Sequence, residues 1–200
     1  MKKIKYTLLG EGFAEEEFIA IYLKKVGVKL DFELQRNTKL KLTNPNKERV
    51  LENAKNFCIR SLSDLRDDLF VVGIDLDEAD YSLEKFEAAK QKVEQAIGKN
   101  YEQFKTQVII FVPIQAIDYW LYYQYYKLQN TKKPADNSLE SKTKNEVKNR
   151  IYPEKNERAI RKIARQVSEK ADFEELAKQS SSFKDFHKQT QSFLNSLRVR

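Results

Sequence analysis

Short strand-like segments alternate with longer helical patterns along the first two thirds of the chain. Some segments alternate polar with apolar residues, whereas LFVVGI (69–74) is continuously apolar, which is typical of a strand buried on both faces. This order predicts an α/β domain with a parallel or mostly parallel sheet and flanking crossover helices. The predicted strands are 3–9, 31–37, 39–43 (paired with the preceding segment or continuous with it), 69–74 and 106–113, and the predicted helices are 13–27, 44–62, 82–98 and 114–129.

Helix ends are marked by residues that favour caps and stops. Asn46 and Ser82 are predicted N-caps, because their side chains can accept a hydrogen bond from the first helical turn. Gly27 and Gly98 are predicted to end their helices. Asp80 is expected to cap or to precede the helix that begins near Ser82.

The pattern changes after residue 129. Residues 130–143 are polar, contain Pro134, and predict a flexible loop. The remaining sequence is helical and basic. We therefore expect an α/β core at 1–129 and a helical C-terminal subdomain at 144–200 that packs on the core. The predicted C-terminal helices are 146–152, 157–171, 173–179 and 182–197.

Composition excludes several classes of protein. With 40% hydrophobic, 34% charged and 12% aromatic residues, the chain is too aromatic for disorder and too charged for a membrane protein. Cys58 is the only cysteine, so an intrachain disulfide or a cysteine-rich zinc site is excluded. No nucleotide-binding glycine motif is present. The first residues do not resemble a signal peptide, and we expect a cytoplasmic protein.

The positive charge is concentrated in the C-terminal third. The net charge is +7; residues 1–129 contain 20 basic and 20 acidic side chains, and residues 130–200 contain 17 and 10. A basic stripe on one predicted helix is a candidate nucleic-acid-binding surface. A solvated helical face explains the same pattern, and both interpretations remain open. The stripe consists of Arg158, Arg161, Lys162 and Arg165.

Acidic side chains follow two predicted strands at their carboxyl ends, where open α/β sheets form their sites. Glu11 and Glu15 lie in GEGFAEEEF after the first strand, and Asp75 and Asp77 follow LFVVGI. Two aspartates spaced two apart project to one side of an extended backbone. Crowded carboxylates repel one another unless a cation lies between them, so we expect a Mg²⁺ (or Mn²⁺) site, with Glu11 as ligand or general base. The alternative is that Glu15, Glu16 and Glu17 simply favour the positive end of a helix.

The pairing of GEGFAEEEF with VVGIDLDEAD resembles the TOPRIM domain of topoisomerases, primases and OLD-family nucleases. On this resemblance, Glu11 matches the family glutamate, Asp75 and Asp77 match the magnesium-binding aspartates, and Glu15 matches the second acid of an EGxxE form. AIDYWLYY, with Asp118 before Trp120, is similar to a helix of small bacterial TOPRIM-like proteins, as is the later QSSSFKDFHKQ. Asp118 is therefore a further candidate ligand or supporting acid, and a partner for a lysine is the alternative role.

The resemblance implies metal-dependent phosphodiester hydrolysis on DNA or RNA, with Glu11 and Glu15 as catalytic residues. By analogy it also implies a bacterial defence setting and a separate ATPase partner. One alternative is a non-catalytic nucleic-acid-binding or regulatory protein, and another is primase-type nucleotidyl transfer. The nucleic-acid strand type and the oligomeric state are not predictable from the sequence.

Three further features have competing explanations. The tyrosines around Trp120 are candidates for stacking on unpaired bases, but packing of this helix in the core is the preferred interpretation. Cys58 is expected to pack in a helix face. His187, the only histidine, is expected on the surface.

Overall fold

The computed structural model describes residues 1–78, 82–129 and 144–198, without the side chain of Lys144. In this part of the chain four strands form one sheet in the order β2-β1-β3-β4, and every neighbouring pair is parallel. The predicted α/β architecture with a parallel sheet flanked by helices is thus confirmed. The strands are β1 (Lys2–Leu9), β2 (Phe32–Arg36), β3 (Leu69–Gly73) and β4 (Val108–Phe111).

The two faces of the sheet are covered by different hydrophobic clusters. In β3, Leu69 and Val71 face one cluster, whereas Phe70 and Val72 face the other, as the two-residue period of a strand requires. Both sets are completely buried, which explains the uninterrupted apolar run of this strand. Helices α1 and α5 and the C-terminal helices cover the first face, and α2 and α3 cover the second.

The helices largely follow the predicted pattern. They are α1 (Phe13–Lys29), α2 (Lys47–Ile59), α3 (Leu83–Ile97), α4 (Asn100–Phe104), α5 (Ile117–Gln129), α6 (Lys144–Ile151), α7 (Glu157–Lys170), α8 (Phe173–Gln179) and α9 (Ser181–Ser196), with a π-helical turn at Arg60–Asp64 and a 3₁₀ turn at Lys105–Gln107. The predicted caps are confirmed: Asn46 accepts from the N–H of Arg49, and Ser82 accepts from the N–H of Lys85. Gly98 follows α3 with a left-handed φ of 71°.

Two local predictions are wrong. Helix α1 does not stop at Gly27 but continues to Lys29. The glycine instead allows close packing of the helix on β2, because a Cβ atom there would collide with Leu34. Residues 39–43 do not form a strand; Leu40 is buried in the cluster beneath α2 and α3.

The C-terminal helices share a hydrophobic cluster with α1 and α5. Phe18, Trp120 and Phe183 contribute buried aromatic rings from α1, α5 and α9. The indole N–H of Trp120 donates to Ser182 Oγ at 3.1 Å, so AIDYW and the serine-rich QSSSF segment meet in the interior. The preferred interpretation of the aromatic helix is therefore confirmed. The predicted loop at 130–143 and the proposed capping role of Asp80 lie outside the described residues.

The outer edge of β4 is covered by α9. The side-chain amide of Gln189 accepts from the N–H of Ile110 at 3.0 Å and donates to the carbonyl of the same residue at 2.8 Å. This amide occupies the backbone groups that a fifth strand would use, which protects the edge from pairing with another chain.

Cys58 is buried, as predicted, but His187 is not on the surface. It lies in the core against Phe183, with Nδ1 2.9 Å from the Tyr22 hydroxyl and Nε2 3.4 Å from Glu174. His187 is four residues after Phe183 on α9 and therefore shares its inward face. Among the residues that the structure describes, no helix is both long and apolar enough to span a membrane.

Candidate active site

The candidate site lies where the chain order of the sheet reverses. From β1 the chain moves outward to β2, and it then returns to the other side of β1 to form β3. The carboxyl ends of β1 and β3 are therefore adjacent, with connections that lead in opposite directions. Such a switch point is where parallel α/β sheets bind ligands.

The turn after β1 is organised around Glu15. This side chain is only 2% exposed. Its carboxylate accepts hydrogen bonds from the backbone N–H groups of Glu11 and of Gly12, the latter at 3.3 Å. A side chain at Gly10 would collide with the Glu15 carboxylate, which explains the glycine at the end of the strand. The arrangement corresponds to the acidic half of a capping box at the start of α1.

Glu11 connects this turn to the end of β3. Its Oε1 accepts from the backbone N–H of Asp75 at 2.7 Å. Asp75 is itself 6% exposed, and its Oδ1 accepts from the N–H of Ile117, the first residue of α5, at 3.2 Å. Helix N-termini favour a negative charge, so α5 stabilises the Asp75 carboxylate. Backbone amides thus hold all three carboxylates: those of Glu11 and Gly12 hold Glu15, that of Asp75 holds Glu11, and that of Ile117 holds Asp75.

The proximity of these carboxylates perturbs their protonation. Burial, and then the charge of Asp75, raise the pKa of Glu11 from 4.5 to about 7. Burial, followed by the charges of Asp75 and Glu11, raises the pKa of Glu15 well above its ordinary value. Perturbed carboxyl groups in a cleft are typical of functional sites.

The side chain of Asp77 does not project to the same side as that of Asp75, contrary to the prediction from the two-residue spacing. The backbone is not extended there, because Asp77 adopts a left-handed φ of 61°. Its carboxylate forms an ion pair with Lys47, and its side chain is 46% exposed. The charge of Asp77 still raises the pKa of Glu11 slightly, so it lies at the margin of the carboxylate group.

Asp118 lies on α5 and faces the C-terminal part of the chain. It is buried, its Oδ1 accepts from the Tyr152 hydroxyl at 2.8 Å, and its Oδ2 is 3.5 Å from the Nζ of Lys148. These contacts tie α5 to α6 and to the residue that follows it. Of the roles considered for Asp118, pairing with a lysine is thus present in the structure, whereas a role as ligand or supporting acid stays a prediction.

A cavity of about 660 Å³ brings these groups together. Sequence reasoning missed part of its lining, because Lys148, Tyr152 and Lys155 lie some 140 residues from Glu11 and form no recognisable motif with it. Only the local excess of positive charge indicated their region. The lining comprises Glu11, Gly12, Phe13, Ala14, Glu15, Asn44, Pro45, Asn46, Asp75, Ile117, Asp118, Lys148, Tyr152, Lys155 and Ile160.

Two of the four residues in the predicted basic stripe of α7 are paired with acidic residues of α1, and the other two are exposed. Arg161 forms ion pairs with Glu16 at 2.6 Å and with Glu17 at 3.1 Å, and Arg165 pairs with Glu17 at 3.0 Å. These arginines fasten α7 to α1. The other two members of the stripe, Arg158 and Lys162, are exposed and do not line the cavity.

In residues 1–78, 82–129 and 144–198, no group of three or more His, Cys, Asp or Glu side chains is arranged to hold a metal ion. Asp75 lies close enough to raise the pKa of Glu11 and of Glu15, but the carboxylates are held by backbone amides and, at Asp77, by Lys47. Comparison with known proteins adds no family assignment: no family model, curated protein or solved structure gives a significant match to this chain.

Proposed function

We propose that this chain is a Mg²⁺- or Mn²⁺-dependent phosphodiesterase that hydrolyses DNA or RNA. The observation that carries the proposal is the meeting of Glu11, Glu15 and Asp75 at the adjacent ends of β1 and β3, with the pKa of Glu11 raised to about 7. Carboxylates crowded in this way repel one another, and a cation relieves the repulsion. The TOPRIM resemblance supports the same chemistry.

The donor set fits a hard divalent cation, because it consists of carboxylate oxygens. Asp75 would hold the ion, and Glu11, on the other side of the switch point, would serve either as a second ligand or as the general base. Each accepts a backbone N–H bond, and an ionised carboxylate has about four lone-pair sites. Asp77 would join them only by leaving Lys47. The side chains therefore need to rotate before they enclose a cation.

Magnesium bound at this site would supply Lewis acidity toward a phosphoryl oxygen. The remaining chemistry falls to the protein. With a pKa of about 7, Glu11 is suited to accept a proton from water at neutral pH. In this role Glu11 would take one proton from the water as the water oxygen bonds to phosphorus and the P–O bond to the leaving strand breaks. The leaving oxygen would take up a proton from solvent, and Glu11 would return its own proton to solvent. Glu15 holds the turn that positions Glu11.

The test is cleavage of labelled single-stranded and duplex DNA and RNA with Mg²⁺ or Mn²⁺. Glu11→Gln and Asp75→Asn should each lower the cleavage rate by about a hundredfold or more, because general bases typically contribute 10²–10⁴-fold. Glu87→Gln is the matched control, since Glu87 is exposed on α3 and does not line the cavity. Cleavage that survives both site substitutions, or absence of cleavage on every substrate, would overturn the proposal.

Metal binding is tested separately by titrating the protein with Mn²⁺ and measuring the free ion by electron paramagnetic resonance. We expect saturable binding that Glu11→Gln and Asp75→Asn weaken at least tenfold and that Glu87→Gln leaves unchanged. Equal binding by all variants would mean that the ion binds elsewhere.

A non-catalytic nucleic-acid-binding or regulatory protein is the second candidate. The ion pair of Asp77 with Lys47 favours it, because this pair keeps one acid away from a cation. Such a protein would bind nucleic acid without turnover. Primase-type transfer would instead lengthen a labelled strand when nucleotides are added. The proposed setting in bacterial defence and the separate ATPase partner rest on the family resemblance alone.

A further inference from the structure

The cavity beside the carboxylates has walls of three chemical kinds. Glu11, Glu15 and Asp75 form an acidic wall at the ends of β1 and β3. Lys148 and Lys155 line the same space from the C-terminal part of the chain. The remaining surface is largely apolar and includes Phe13, Ile117 and Ile160. An anion alone would not need the acidic and apolar walls, and an apolar ligand would not need the charges.

We propose that this cavity binds an unpaired nucleotide segment, with Lys148 and Lys155 as its phosphate-binding residues. The inference rests on the proposed function, since it assigns a substrate class to the same site. A nucleotide combines an anionic phosphate, which lysines attract, with an apolar base face and sugar. Its phosphate would lie between the lysines and a cation held by the carboxylates.

The two lysines contribute differently. Lys155 is exposed and has no ion pair with any residue that the structure describes. Lys148 lies 3.5 Å from Asp118 and is 40% exposed. Its ammonium group therefore retains contact with solvent in the cavity while Asp118 restricts its position. A phosphate that enters the cavity therefore meets one lysine without an ion pair and one lysine that Asp118 holds in place.

The size of the cavity favours an unpaired strand. A sphere of 660 Å³ is only about 11 Å across, roughly the width of one groove of B-DNA and well short of the whole double helix. An intact duplex as a whole is therefore too wide to enter this space, whereas one or two unpaired nucleotides fit into it. This restriction selects single strands, flaps or frayed ends.

The apolar wall suits a base. Phe13 is half-buried, and the guanidinium of Arg161 lies 4.8 Å from the centre of its ring. Aromatic rings are common supports for unpaired bases, and stacking on them does not depend strongly on sequence. We therefore expect little base preference.

The stripe on α7 is the rival surface for nucleic acid. Arg161 and Arg165 are already neutralised by Glu16 and Glu17. Arg158 and Lys162 alone would give a small exposed patch outside the cavity. If nucleic acid binds in the cavity, Lys155→Ala should weaken binding more than Arg158→Ala, and if it binds on the stripe, the order should be reversed.

The experiment measures binding, so it does not depend on cleavage. A fluorescein-labelled ten-nucleotide single strand and the corresponding blunt duplex are titrated with protein by fluorescence anisotropy, in Ca²⁺ and over a range of salt concentrations. We expect the single strand to bind at least tenfold more tightly. Lys155→Ala should weaken its binding about three- to tenfold and reduce the salt slope by about one. Lys92→Ala, which removes the same charge from an exposed position on α3, should change neither quantity.

Equal affinity for single strand and duplex would overturn the inference, as would a larger effect of Arg158→Ala than of Lys155→Ala. Preference for the single strand that depends on Lys155 would support it even if no cleavage occurred, in which case only the proposed catalytic function fails. Metal-dependent cleavage that is insensitive to Lys155→Ala, with equal activity on blunt duplex, would uphold the catalytic function and refute the substrate class.

Discussion

Substitutions of Glu15 can distinguish whether this side chain positions the turn or takes part in the chemistry. Its carboxylate accepts from the N–H groups of Glu11 and Gly12 and is almost completely buried. A glutamine can accept the same two hydrogen bonds through its amide oxygen, as it does in capping boxes. Alanine cannot. If Glu15 acts by holding the turn, Glu15→Gln should behave like the wild type and Glu15→Ala should not.

The expected stability changes follow from these contacts. A fully buried N–H that loses its acceptor costs about 1–3 kcal/mol, and these two N–H groups are partly buried; loss of a helix cap costs about 0.5–2 kcal/mol. Removal of a buried carboxyl group with a raised pKa offsets part of this cost. We therefore expect Glu15→Ala to lower the free energy of unfolding by about 2–3 kcal/mol. Glu15→Gln should stay within about 1 kcal/mol of the wild type.

The assays are urea unfolding followed by circular dichroism and the metal-dependent cleavage rate. Glu15→Gln should retain most of the activity, whereas Glu15→Ala should lose at least tenfold because Glu11 is no longer oriented. The matched control is again Glu87→Gln. If Glu15→Gln folds normally but loses as much activity as Glu15→Ala, the charge of Glu15 is required, and it is a ligand or an acid–base group instead.

The other predictions concern pH dependence, the sheet edge and the aromatic core. Because the pKa of Glu11 is raised in the folded state, its own contribution to stability is fully present below pH 4.5 and is lost as the pH rises through about 7. After solvent screening we expect this contribution to be roughly 1–2 kcal/mol, and Glu11→Gln should remove that part of the pH dependence in urea titrations across this range. Gln189→Leu leaves the backbone N–H and C=O of Ile110 without their hydrogen-bond partner and should lower the free energy of unfolding by about 2 kcal/mol. An unchanged urea midpoint would contradict the proposed edge protection. Ser182→Ala removes the acceptor of the buried Trp120 N–H and should lower the free energy of unfolding by about 1–3 kcal/mol, measured in the same way.

The fold was predictable where burial imposes a clear period on the sequence. Strand β3 is buried on both faces, and its uninterrupted apolar run indicated this directly. The segment 39–43 alternates polar with apolar residues in the same way, and this alternation also suggested a strand. In the structure Leu40 and Leu42 pack toward the cluster beneath α2 and α3 without pairing with β2. Alternation reports that one side is buried, but it does not report a hydrogen-bonding partner.

The position of the candidate site was predictable for a topological reason. Parallel strands align their carboxyl ends, so Glu11 and Asp75 could be expected at one edge of the sheet. The direction of Asp77 could not, because a left-handed φ at an aspartate leaves no signature in its spacing. His187 could have been placed correctly from its helical spacing after Phe183, whereas its polar neighbours suggested the surface.

The basic residues of the C-terminal region have two separate structural consequences. Arg161 binds Glu16 and Glu17 just after the turn that carries Glu11, so α7 braces the start of α1 and with it the acidic wall. Lys148 and Lys155 instead line the cavity that this wall faces. The basic residues of the C-terminal region thus have two effects. Arg161 stabilises the position of the carboxylates, and the two lysines provide a surface in the same cavity that attracts an anion. Neither a count of charges nor a basic stripe on one helix could therefore identify the residues that line the cavity. Arg161, in the middle of the stripe, pairs with acidic residues of α1. Lys148 and Lys155 reach the cavity at the ends of β1 and β3 only when the chain folds.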